Sequence, residues 1–165
     1  MDKTKQPLTF DWDEFVQSSG KKPCFICGLV AGKPENAHDV VYEDEFCIAF
    51  LDKHPRQYGH TLVAPKSHRE QVIGDFTDEE YVHLQQAVYR VGRAVQSTVP
   101  TERLYVICYG SQQGFSHVHW QVVPLPPGVP LAQQQSFATN PRNGILQLSA
   151  DEMADLAARI RDAIS

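Results

Sequence analysis

The sequence predicts an α+β domain built on an antiparallel sheet, and three observations carry that prediction. Apolar or alternating runs at 39–43, 46–52, 60–65, 103–109 and 117–123 read as short strands. Most of the connections between them are hairpin-like, whereas a parallel sheet needs helical crossovers. Two segments carry a clear helical period, one long and one at the C-terminal end of the sequence.

The elements follow in order. "DWDEFVQSSG" (11–20) gives one or two helical turns ending at Gly20, and "CFICGLVAG" (24–32) a short helix or turn closed by Gly32. "DVVYEDEFCIAFLD" reads as two strands around an acidic turn, "HPRQYG" as turn chemistry and "HTLVAP" as a further strand. The long helix opens at Thr77, where "TDEE" places Glu80 for a capping box. Tyr81, Leu84, Val88, Val91 and Val95 then form its apolar stripe, and Pro100 stops it. "RLYVICY" and "HVHWQVV" pair across the loop "GSQQGFS". Residues 125–148, rich in Pro, Gln and Gly, read as an irregular arm packed on the surface, and 149–164 as a capped amphipathic helix.

The 165 residues fit one domain with a real core, taken as 1–165 around a core of 24–124. A net charge of −5 argues against a nucleic-acid polymer as partner, since such binding draws on clustered basic charge. A small phosphate ligand stays compatible, because local donors decide that. No apolar run is long enough for a membrane span, and "MDKTKQPLTFDWDEF" has no signal-peptide core, so a soluble cytoplasmic protein is expected. In that compartment the four cysteines point to metal binding or burial rather than disulfides. Cys47 and Cys108, set in apolar strands, read as buried small hydrophobes.

Two motifs carry candidate chemistry. In "HVHWQVVP" the polar residues His117, His119 and Gln121 alternate with Val118, Trp120 and Val122, which puts the three on one face of a strand. That face is either the solvated side of an antiparallel strand or a site. The closing "VVP" suggests a strand at an edge or running into a turn. In "CFIC", Cys24 and Cys27 have the spacing to grip one tetrahedral ion, but equally suit a redox dithiol or two buried thiols. No second such pair exists, so an ion would need ligands from afar among seven histidines, and spacing alone does not choose among them. His38 and His54 read as exposed turn residues and His83 as a solvated helix residue.

Taken together, "CFIC", "FCIAFLDKHPRQYGHTLVAPKSH" and "HVHWQVVP" resemble the histidine triad superfamily over about 100 positions, 24 to 124. The resemblance implies an antiparallel sheet with a long helix, and chains that pair into homodimers. It implies a structural Cys2His2 zinc site on Cys24, Cys27, His68 and His117, and His119 as nucleophile. Asp52 would bind the ribose hydroxyls of a nucleotide, Phe50, Leu51, Ile26 and Leu29 would wall the base, and His60 would stand near the active site. The implied reaction passes through a covalent nucleotidyl-histidine, which splits one displacement at the α-phosphate into two.

Gln121 stands where the hydrolases of this superfamily carry a third histidine and the nucleotidyl-transfer branch carries glutamine. An amide can bond phosphoryl oxygens but cannot protonate a poor leaving group, so Gln121 suits one that is already a good anion. Transfer is therefore favoured, with a nucleotide or dinucleoside polyphosphate hydrolase, or a non-catalytic zinc-stabilised nucleotide-binding protein, as alternatives. The loop before the triad departs from the usual pattern. Gly114 occupies the usual serine position, leaving Gln112, Gln113 and Ser116 as the expected phosphate donors.

Overall fold

In a computed structural model, which describes residues 11–165, the chain folds as an α+β protein around a five-stranded antiparallel sheet. The absence of a signal-peptide core is a feature of an opening segment that lies mostly outside the described residues. Helix α1 (Trp12–Ser19), capped by Asp11, and α2 (Phe25–Val30), capped by the Cys24 sulfur, precede the sheet. Strands β1 (Val40–Glu43), β2 (Cys47–Leu51) and β3 (Thr61–Pro65) follow. A single turn, α3 (Val72–Asp75), leads into α4 (Asp78–Thr98), and then come β4 (Arg103–Ile107) and β5 (Trp120–Leu125). The arm contains one helical turn, α5 (Ser136–Thr139), and α6 (Ala150–Asp162) is the last element.

The strands lie in the order β1-β2-β3-β5-β4. Asp44 closes the first hairpin: Oδ1 accepts the Phe46 and Cys47 amides at 2.8 and 2.6 Å, and Oδ2 accepts from the Tyr42 hydroxyl at 2.7 Å and His83 Nε2 at 2.8 Å. His83 is thus a partner of that turn, although its side chain stays 42% exposed. The capping box at Thr77 and Glu80 forms as the sequence predicts. In the stripe of α4, Leu84, Val88, Val91 and Val95 are buried with Ala87 and Ala94, while Tyr81 stays exposed.

Strand periodicity sorts the core onto two faces. Cys47, Ala49, Leu51, Val63, Val118, Trp120 and Val122 meet α4 and α6 on one face. Ile48, Phe50, Leu62 and Ala64 meet Ile26 of α2 on the other. Of the two readings of "VVP", the edge fails, because β5 lies between β3 and β4, and the turn holds, since the chain turns at 127–128 just past β5. Pro124 is tolerated there because the β3 ladder ends at Thr61↔Val122, so the missing N–H faces no partner strand on that side. The turn read at "HPRQYG" forms after β2, and much of it is buried. Pro55, Arg56 and Gln57 are buried, with Leu146 N–H bonded to the Pro55 carbonyl and the Gln57 amide to Ala138 O. Residues 125–148 therefore roof this turn rather than only decorating the surface. Among the described residues no helix is long and apolar enough to cross a membrane.

Candidate active site and metal centre

Backbone pairing explains why distant histidines meet. Val118 N–H bonds Arg69 O at 2.7 Å, which sets the segment 117–119, just ahead of β5, beside the segment that follows β3. His117 and His68 come edge to face, with ring centroids 4.8 Å apart. Ile26, packed under Phe50, seats α2 so that both thiols face the two rings. His117 Nδ1 lies 3.3 Å from Cys24 Sγ and 3.6 Å from Cys27 Sγ, and His68 Nδ1 lies 3.4 Å from Cys27 Sγ.

These four donors suit one tetrahedral ion. All four ligand atoms lie within 4.8 Å of one another. Ligands about 2.0–2.3 Å from a central zinc would stand roughly 3.6 Å apart. The outer nitrogens are also committed. His117 Nε2–H donates to Pro65 O at 2.8 Å and His68 Nε2–H to Glu70 Oε1 at 3.0 Å, which turns both Nδ1 lone pairs toward the sulfurs. Burial and the adjacent Cys24 sulfur push the Cys27 thiol up to about 11, a shift that a bound dication would reverse.

His117, His119 and Gln121 are 0%, 2% and 7% exposed, which removes the solvated-face alternative. His119 Nδ1–H donates to the His117 carbonyl at 3.0 Å, and among the described residues no hydrogen bond claims Nε2. Burial holds this imidazole below its ordinary pKa against the pull of that carbonyl. Gln121 sits opposite Leu62 of β3 and close to His60, itself 1% exposed and pushed by burial down to about 3.

The remaining predicted residues divide. Phe50 and Ile26 share the His119 side of the sheet, with Leu29 packed against them. Leu51 instead points into the α4-side core, because neighbours on a strand face opposite ways and Phe50 and Leu51 cannot wall one pocket together. Asp52 lies at the end of β2, its carboxylate bonded to the Arg56 guanidinium and to His54 N–H at 2.8 Å. Burial works to raise this acid, yet Arg56 and the neighbouring histidines hold it at about 2. Gln113 is occupied internally, accepting from Tyr109 N–H at 2.7 Å and donating to His119 O. The Ser116 hydroxyl lies against Glu70, and Gly114 takes a φ of +95° under the Trp12 ring.

Sequence reasoning missed an aromatic group around His119. Phe25 contacts His38, Phe50 and Phe115, with centroids 5.2, 6.0 and 4.8 Å away. Phe115 stands 5.9 Å from His119, and Phe15 of α1 lies 6.0 Å from Phe115 and 5.0 Å from His54. His38 and His54 are accordingly half-buried rather than exposed. The available signal was an aromatic beside each motif, Phe25 inside "CFIC" and Phe115 before the triad.

Comparison with known proteins agrees with this geometry. The HIT domain profile matches residues 33–127, more than half of the chain. The chain belongs to the HIT family. Protein hit of Bacillus subtilis is 36% identical over 107 residues, covering 61% of this HIT chain and 70% of its own. An uncharacterized HIT-like protein of Methanocaldococcus jannaschii is 34% identical, with 61% and 78% covered. Among solved structures, a hypothetical histidine triad nucleotide-binding protein from Sulfolobus tokodaii superposes with a TM-score of 0.68. It is 28% identical, with 86% of this chain and 91% of that one covered. A Zn-bound histidine triad family protein from Mycobacterium smegmatis gives a TM-score of 0.65 at 25% identity, with 86% and 92% covered.

Proposed function

We propose that this HIT protein, taken over 1–165 as one domain, is a soluble cytoplasmic enzyme that binds a nucleotide and acts at its α-phosphate through a nucleotidyl-His119 intermediate. The observation that carries this is the His119 tautomer: Nδ1–H is spent on the His117 carbonyl, so Nε2 holds the lone pair. Nε2 attacks phosphorus, the N–P bond forms and the P–O bond to the leaving group breaks. The leaving group departs as an anion, which needs no proton from Gln121. Phosphate or water then attacks phosphorus, and the N–P bond breaks. The Gln121 amide serves the phosphoryl oxygens, and transfer to phosphate is favoured over hydrolysis.

Zinc held by Cys24, Cys27, His68 and His117 supplies folding stability and stiffens the backbone beside His119. The geometric fit of the four donors and the Zn-bound relative support this assignment. Exposed apolar residues support a homodimer. Val106 on edge strand β4 is 49% exposed, and Tyr89 on α4 is 65% exposed.

The decisive experiment incubates the protein with α-labelled dinucleoside polyphosphates or nucleotide sugars and quenches in alkali. Acid-labile label is expected on the wild type and not on His119→Ala. Turnover that requires phosphate identifies a transferase, and turnover in water alone a hydrolase. Tight nucleotide binding without label from any substrate would replace the catalytic reading with a binding one. Metal analysis is expected to find about one zinc per chain, and Cys24→Ser to lose folding and not only rate.

A further inference from the structure

Arg56 lies in a turn that the sequence marks only as turn chemistry, yet it is 5% exposed and roofed by the Trp12 ring, 5.1 Å above its guanidinium. Three groups compete for His60 Nδ1, each at 3.4 Å: the Arg56 backbone N–H, Arg56 Nη1 and Asp52 Oδ2. Two are donors and one is an acceptor. The acceptor is already bound tightly to Arg56 Nη1. A backbone N–H aimed at a ring nitrogen requires a lone pair there, so Nδ1 accepts and the proton sits on Nε2. Among the described residues no well-formed hydrogen bond claims that buried Nε2, which lies within reach of the Gln121 side chain and near His119. Arg56 Nε is buried and unpartnered among the described residues as well, a cost that packing alone does not explain.

We propose that Arg56 is a positioning residue: by engaging Asp52 and capping Nδ1, it makes His60 a neutral Nε2–H donor directed at a phosphoryl oxygen beside His119. Without its side chain, the freed Asp52 carboxylate would draw the ring proton to Nδ1, and the donor facing the site would become a lone pair that repels phosphate. The tautomer is a property of the resting protein, and only the identity of the acceptor rests on the function proposed above.

Long-range ¹H–¹⁵N spectra of the zinc-loaded protein at neutral pH test this. The wild type should show His60 protonated at Nε2 and bare at Nδ1. Arg56→Met should move a substantial share of the proton to Nδ1, and Arg56→Lys should restore part of the wild-type pattern. With AMP as probe, Arg56→Met should bind at least about tenfold more weakly, the worth of one hydrogen bond to a charged acceptor. A wild-type His60 protonated at Nδ1 overturns the inference even if the variants do not fold. So does a folded Arg56→Met protein with an unchanged pattern. An Nε2–H wild type that binds no AMP overturns the nucleotide reading instead and leaves the tautomer standing.

Discussion

Gly28 sits in α2 directly after Cys27, and a Cβ there would lie 1.9 Å from Asn36 Oδ1, 2.6 Å from its Cγ and 3.2 Å from its Cβ. Rotating the Asn36 side chain clears the first two contacts. The third is set by backbone, because Asn36 N–H bonds Lys33 O at 3.0 Å and Lys33 N–H returns to Gly28 O at 2.9 Å. Gly28→Ala must therefore shift the turn at Pro34–Asn36 against α2 by a few tenths of an ångström. Overpacking costs about 1–3 kcal/mol, and the gain in helix propensity offsets roughly 0.5–1 of that. A net loss of about 1 kcal/mol corresponds to a fall of roughly 2–4 °C in Tm for a chain of this size. Thermal unfolding of the zinc-saturated protein reads this, and a double-mutant cycle with Asn36→Gly, which removes the Cβ, should recover most of the loss. Gly92→Ala is the contrast, since its Cβ meets only the flexible Leu104 Cδ2 at 3.2 Å, and it should be neutral or slightly stabilising. A Gly28→Ala protein as stable as wild type, or one that Asn36→Gly does not rescue within the cycle, would refute the steric argument.

The depressed pKa of His60 has a definite sign. An unfolded imidazole protonates near 6.5 whereas the folded one waits until about 3, so its contribution is intact above 6.5 and lost as pH falls toward 3. The unfolding free energy from urea titration should fall across this window, by at most about 1.4 kcal/mol per pH unit for this group, and the fall should be shallower in His60→Asn. Gln121→His restores a proton donor beside His119 and should raise turnover of nucleoside phosphoramidates relative to polyphosphates, measured by product release. Val106→Arg places charge on an exposed apolar edge and should shift the protein toward monomer in sedimentation velocity, with its Tm in dilute solution little changed.

Much of the fold was legible because its signals are local. The Thr77 and Glu80 capping box, the acidic hairpin turn at Asp44 and the α6 cap at Ser149 are each written within a few residues. The meeting of Cys24, Cys27, His68 and His117 was readable only through the order of three motifs, since no spacing states that Val118 pairs with Arg69. What escaped is what depends on long-range cover. Arg56 is buried because Leu146 bonds Pro55 and Trp12 lies above it, and nothing in "HPRQYG" announces either contact. Leu51 was misplaced for a simpler reason, a strand's period of two applied to His117 and His119 but not to Phe50 and Leu51.

The placement of α1 bears on how the proposed reaction would be timed. None of its residues is fully buried, yet Phe15 touches Phe115, the ring beside His119, and Asp13 is tied to Arg142 of the arm. A cover of this kind over a covalent phosphoramidate would ration the entry of solvent, so the lifetime of that species would follow how firmly α1 holds its place. Partition between water and a larger acceptor would then be decided by a latch some distance from phosphorus.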